Sequence, residues 1–285
     1  MGYAAYSLHQ KSPIRSWEEL VALDNQFSGT EMWAFRGQNC LEFPTTSLER
    51  HCKDLGLKGA RCVDLEVKLI RDFARRYHLY SGTMPPPKGH TLEWLSLLRH
   101  YGTPTRLVDF TYSLFVAVHF ALEAAETSAV VWAVNLKRLF SEAEKHIATR
   151  MTDGRSRIEE FRQKRDGAEF RALFMNKSPF RFVYSTNPIR LNERLTNQQG
   201  LFLVPGDVTA TFEENIRAVP NHRKCVVKIV VHSSCRVEVL RRLYRLGINA
   251  ATLFPGLDGF ARSLRTKSLI LARLPRETVE MLEQV

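Results

Sequence analysis

The chain has 285 residues, 44% hydrophobic and 25% charged, with 41 Lys plus Arg against 30 Asp plus Glu for a net charge of +11. That composition supplies a real core and excludes large-scale disorder, and no stretch reaches the roughly 18 uncharged apolar residues of a membrane span. Five cysteines, an odd number without a C-x-x-C pair, speak against a disulfide framework and a thiolate zinc site; the expected location is cytoplasmic, with no membrane partner and no metal.

Residues 17–26 follow Ser16 and place Leu20, Val21 and Leu23 on one side, which predicts a short capped helix. The run EMWAFRGQ (31–38) reads as a buried strand ending in a turn. Residues 64–80 carry Leu65, Leu69, Phe73, Ala74 and Tyr77 at helical spacing, with Arg71, Arg75 and Arg76 off the stripe. SGTMPPPKGH (81–90) is a loop by composition, a credible lid or linker. Residues 91–102 predict a helix closed by Gly102, and residues 111–126 another, capped by Thr111 and apolar enough to be buried. The polar turn TPTRLVDFT lies between them.

Residues 129–135, 200–206 and 225–231 are β-branched or apolar runs of strand length. Residues 150–171 are highly charged and read as an exposed helix with mobile connections, an insertion near 150–175. The closing stretch predicts helix, a stop at Gly247, turn and helix. The expected organisation is an extension over 1–29, one domain over 30–265 and a packed segment over 266–285. The expected fold class is α+β, with mixed, mainly antiparallel sheets and packed helices.

Arg36 and Gly37 end a predicted strand, where an arginine fork can aim at a diphosphate and a glycine can let the backbone turn closely around a ligand. A pairing of Arg36 with a core aspartate such as Asp109 is the structural alternative. His100, Tyr101, Gly102, Thr103, Thr105, Arg106, Asp109 and Thr111 pack many donors and acceptors between two apolar helices. Burying them is costly unless they satisfy each other or a ligand, so this block is either a site or a network fixing an Arg106–Asp109 turn. Gln198 and Gln199 stand before an apolar strand, where amides can bind a base, ribose or carboxamide or can close a sheet edge; Glu193 is the nearest acid.

The motif order FRGQ (35–38), SLER (47–50), HYGTPTRLVDFTYSLFVAVHFA (100–121), NERLTNQQGLF (192–202) and TLFPGLDG (252–259) resembles the FRG-domain family, from about residue 30 to 265. That order is similar to the one in ADP-ribosyltransferases, and the resemblance implies a core of that kind with NAD as substrate. By the same comparison Arg36 holds the diphosphate or ribose beside Gly37 and Gln38. The nicotinamide side falls to His100, Tyr101, Gly102, Thr105, Arg106 and Thr111, and Gln198 or Gln199 stands where such enzymes carry a catalytic glutamate. Asp109 or Glu193 then supplies the negative charge that an oxocarbenium-like transition state needs.

The resemblance implies transfer of ADP-ribose to a macromolecule by a toxin-like effector, in antiviral defence or in a pair with an antitoxin. The basic composition favours nucleic acid as that macromolecule, with a protein acceptor and an acidic inhibitor protein as further partners. The alternative is a non-catalytic or nucleolytic RNA-binding module in which Arg36, Arg106 and Arg194 grip phosphates and His100 does acid–base work. A third reading is an interaction domain with a polar core.

Overall fold

A computed structural model describes residues 12–175 and 179–272. The first eleven residues of the expected extension and the last thirteen of the expected C-terminal segment lie outside the described residues. Six strands, β1 (Trp33–Gln38), β2 (Val108–Thr111), β3 (Ala129–Asn135), β4 (Val183–Thr186), β5 (Gly200–Pro205) and β6 (Val226–Val231), form one sheet in the order β4-β5-β2-β1-β3-β6. Every pairing is antiparallel, and the fold is α+β.

The sheet is buried on both faces, which is why its strands read as unbroken apolar runs rather than as alternating ones. All seven residues of β3 are buried: Val130, Trp132 and Val134 enter one core, and Ala129, Val131 and Ala133 the other. The second core is closed by α1 (Trp17–Phe27), α5 (Leu114–Glu123) and α11 (Arg236–Arg245). On the first lie α4 (Thr91–His100), α6 (Leu136–Arg150), α7 (Gly154–Lys164), α8 (Ala168–Phe174), α9 (Glu193–Asn197) and α10 (Phe212–Ala218). Flanking these are α2 (Ser47–Asp54), α3 (Ala60–Tyr80), α12 (Ala250–Leu253) and α13 (Leu257–Leu271). No helix among the described residues is long and apolar enough to cross a membrane.

The segment expected to be an exposed helix with mobile connections sends part of its side chains into the core. Ile158 and Phe161 of α7 and Phe170, Leu173 and Phe174 of α8 are buried in the first core, while the charged residues between them face out. Asp166, in the turn joining these helices, accepts hydrogen bonds from the backbone N–H groups of Leu92 and Glu93 at 3.0 Å each and so caps α4. The polar turn expected between two helices contains the central strand β2. Helix α5 therefore starts later than expected and is capped by Ser113; Thr111 ends the strand, its hydroxyl donating to the Gln198 carbonyl at 2.7 Å. The predicted extension is stitched to the sheet at Ile14, whose N–H donates to the Val230 carbonyl and whose carbonyl accepts from the His232 N–H, both at 2.8 Å.

Candidate functional site

β1 pairs with β3 along its whole length, from Trp33↔Asn135 to Gln38↔Val130, but its register with β2 is confined to Phe35↔Thr111. The Asp109 carbonyl of β2 instead accepts a hydrogen bond from Arg36 Nη1 at 2.7 Å, a side chain spanning the interval between two central strands. A cleft of about 350 Å³ opens there, walled by the ends of β1 and β2, by α5, and by residues that arrive from α9 and from the far end of the chain. A small recess on its inner side, lined by Ser96, Arg99 and His100, shares Asp109, Arg194 and Gln198 with it.

Positive charge dominates this place. Asp109 accepts from Arg99 Nε at 2.8 Å and lies 3.8 Å from Arg36 Nη1. Burial by itself would raise its carboxyl, but Arg99, by charge and hydrogen bond, and Arg36 and Arg194 farther off hold it below the ordinary aspartate value of 3.8. One carboxylate does not balance its neighbours. Arg36 is pushed down to about 10, by burial first and then, against the pull of Asp109, by the charges of Arg99 and Arg50. Arg194 is lowered by burial, with Arg99 and Arg262 adding to it and Asp109 opposing. Arg36 Nε is also a buried donor without a hydrogen-bond partner, a state that costs free energy until an acceptor arrives. An anion in the cleft would relieve both conditions.

The mouth is aromatic and clamped. The guanidiniums of Arg194 and Arg262 lie over the Phe254 ring at 4.6 and 4.5 Å, and Phe120 meets that ring edge-on at 5.8 Å. Arg262 is held by Glu123, whose Oε1 accepts from its Nε at 2.7 Å. Gln198 donates from Nε2 to the Leu253 carbonyl at 3.0 Å, which ties the start of β5 to the end of α12 next to Phe254. Gln38 and Asn39 contribute amides at the end of β1.

The candidate residues thus divide. Arg36, Gly37, Gln38, Asp109, Thr111 and Gln198 line one cleft, and His100 lies in the recess beside it. Burial and then the charge of Arg194 lower the His100 imidazole, which favours its neutral form; its Nδ1 is buried without a partner. Gly37 serves packing: a β-carbon there would stand 1.7 Å from the Ala117 carbonyl oxygen, so the glycine admits the backbone of α5 and is not kept open for a ligand.

Tyr101 is exposed and faces a separate hollow with Phe73, Tyr77 and Tyr80 of α3. Gly102, at φ +82°, makes the turn after α4. Thr105 is fully buried, its backbone bonded to Ser47 and Leu48. Arg106 is also buried and pairs with neither Asp109 nor solvent: its Nε donates to both Glu66 carboxylate oxygens at 2.8 and 3.0 Å, and Nη1 reaches the Phe174 carbonyl. It therefore cannot grip a phosphate. Gln199, in the left-handed region at φ +47°, and Glu193 both have exposed side chains and lie outside the cleft lining.

Arg99, Glu123, Phe254 and Arg262 also line the cleft or its recess, and none of them carries a residue-level signal in the sequence. The last two stand in and after the TLFPGLDG motif, which marks the segment without indicating what it touches.

No significant match was found among curated proteins or among solved structures. Residues 31–129 match the family model of the FRG domain, a span that begins before β1, ends as β3 starts, and contains Arg36, Arg99, His100 and Asp109. The chain therefore carries an FRG domain, to which residues beyond the matched span add the Arg194, Gln198, Phe254 and Arg262 side of the cleft.

Proposed function

We propose that the cleft binds NAD and that the protein transfers ADP-ribose from it to a macromolecule. One observation carries the reading: Arg36, Arg99 and Arg194 surround a single carboxylate beside an arginine-clamped aromatic ring, with a buried guanidinium N–H unspent. A diphosphate supplies the missing negative charge, and the guanidinium planes of Arg194 and Arg262 that cover Phe254 offer stacking surfaces to a planar base or nicotinamide. The volume is at the low end of the roughly 300–1,000 Å³ usual for small-molecule sites, so one nucleoside end sits inside while the other extends over the mouth.

In this reaction the bond between nicotinamide and the ribose C1′ breaks, nicotinamide leaves with the electron pair, and an acceptor atom bonds to C1′ as it loses its proton. Asp109, kept ionised by its arginines, is the acid we assign to the developing positive charge, with Arg36 and Arg194 on the diphosphate. Gln198, its amide nitrogen bonded to Leu253, positions the ring-bearing loop and has no charge to offer. The net charge of +11 favours nucleic acid as acceptor and an acidic protein as restraint, the arrangement expected of a toxin-like effector in antiviral defence or an antitoxin pair.

The test is incubation of the full chain with labelled NAD and separate RNA, DNA and protein fractions. Label should enter one fraction with release of nicotinamide, and Arg194→Ala should abolish it. Binding of NAD without label in any fraction would reduce the reading to a binding module; absence of binding would end it.

A further inference from the structure

We propose that His90, Glu93 and Asp166 form a site for a divalent transition-metal ion, of which zinc is the type, at the start of α4. The site is separate from the cleft and does not depend on how the cleft is used.

The three residues offer one imidazole nitrogen and two carboxylates, with ligand atoms all within 4.8 Å of one another. His90 Nδ1 lies 3.9 Å from Glu93 Oε1 and 4.0 Å from Asp166 Oδ2. Those separations are informative. A protonated imidazole serving as a simple counter-ion would close on an oxygen to about 2.7–2.9 Å. Ligands around one tetrahedral ion at about 2.1 Å stand roughly 3.4 Å apart, so the imidazole and the two carboxylates need close by only about half an ångström to share an ion.

The burial points the same way. His90 Nδ1 is buried without a hydrogen-bond partner. The Glu93 side chain is only 5% exposed, and the 3.9 Å approach to His90 is its one polar contact among the described residues. A carboxylate with so little exposure is stabilised by a cation placed beside it.

Asp166 is already fixed. Its Oδ1 accepts from the N–H groups of Leu92 and Gly167 at 3.0 and 2.6 Å, and its Oδ2 accepts from that of Glu93 at 3.0 Å while facing His90. These backbone bonds orient a ligand as outer-shell partners do in metal sites. The nitrogen donor favours a transition metal over magnesium or calcium, and the 30% exposure of His90 leaves a path for the ion and a water ligand.

Arg99 lies nine residues further along α4, about 14 Å at 1.5 Å per residue, so the ion takes no part in cleft chemistry. It locks the start of the helix bearing Arg99 and His100 to the turn between α7 and α8.

The experiment uses the full chain, stripped with EDTA and dialysed, with zinc chloride or manganese chloride titrated by calorimetry and the melting temperature followed in parallel. One equivalent should bind and raise the melting temperature. Glu93→Gln and, separately, His90→Asn should weaken binding at least tenfold while retaining the helical circular dichroism of the parent. His90 is part exposed, so that variant remains readable if the buried Glu93 substitution fails to fold. Absence of binding by the parent, or binding undiminished in a folded variant, overturns the proposal, the latter because the ion is then held elsewhere.

Discussion

Arg36 and Arg106 are both arginines near β2, yet their energetics differ in kind. Arg106 is fully buried and returns two hydrogen bonds from Nε to a fully buried glutamate, so removing it strands Glu66 as an uncompensated charge. Arg36 keeps 19% of its side chain exposed, bonds one carbonyl, and has an Nε that bonds nothing. Its loss also thins a crowd of like charges. Arg106→Met should therefore cost about 3–5 kcal/mol in urea denaturation. Arg36→Ala should cost about 1–2 kcal/mol while removing anion binding. Equal costs would place Arg36 in a closed structural network and take it out of the site.

Asp109 gives the residue scale a pH signature. Its folded value is depressed, so the stability it contributes is fully present above the ordinary aspartate value of 3.8 and is lost as pH falls through the lower folded value. The difference in melting temperature between the parent and Asp109→Asn should stay constant from pH 8 to 5 and shrink only below pH 4. A difference that fades between pH 7 and 5 would mean that the carboxyl is raised and that the arginines do not hold it.

At the scale of elements, a glycine discriminates packing from ligand contact. A β-carbon on Gly37 meets the Ala117 carbonyl oxygen at 1.7 Å and the Ala121 nitrogen at 2.8 Å, both backbone atoms of α5 that no rotamer change can move. Gly37→Ala should cost at least the roughly 1–3 kcal/mol of core overpacking, seen as a lowered urea midpoint or loss of soluble protein. A stable but inactive variant would return this glycine to the ligand.

The same scale shows what was legible in the sequence. Strands β1, β3, β5 and β6 and helices α1, α4 and α5 announce themselves because each is a continuous apolar run or stripe long enough to register. The burial of α7 and α8 does not, since Ile158, Phe161, Phe170 and Phe174 form narrow stripes amid charge that read as an exposed helix, and the core they complete is assembled by distant strands. Arg106 and Asp109 are three apart and suggest a local pair. The strand beginning at Val108 separates them, and Arg106 finds its partner forty residues back, at Glu66. Arg36 and Asp109 were recoverable as a pair because both end or line central strands. The metal candidates were not, for Asp166 lies more than seventy residues from His90 and is brought there only by the α7–α8 turn.

For the molecule as a whole, the cleft is a meeting of three stretches: the FRG span with Arg36 and Asp109, the α9–β5 junction with Arg194 and Gln198, and the tail with Phe254 and Arg262. The sheet supplies the rigid part, with β1 fully registered on β3 but barely on β2, so that a side chain rather than a ladder bridges the gap. The excess of arginine over carboxylate at this point follows the sign of the whole chain, +11, and concentrates it where a small anion can enter. The most direct test is calorimetric titration of NAD into the full-length protein at low salt, repeated with Arg194→Ala. Saturable one-to-one binding, weakened at least tenfold by the substitution, is expected; no binding up to millimolar NAD, or binding indifferent to Arg194, would contradict it.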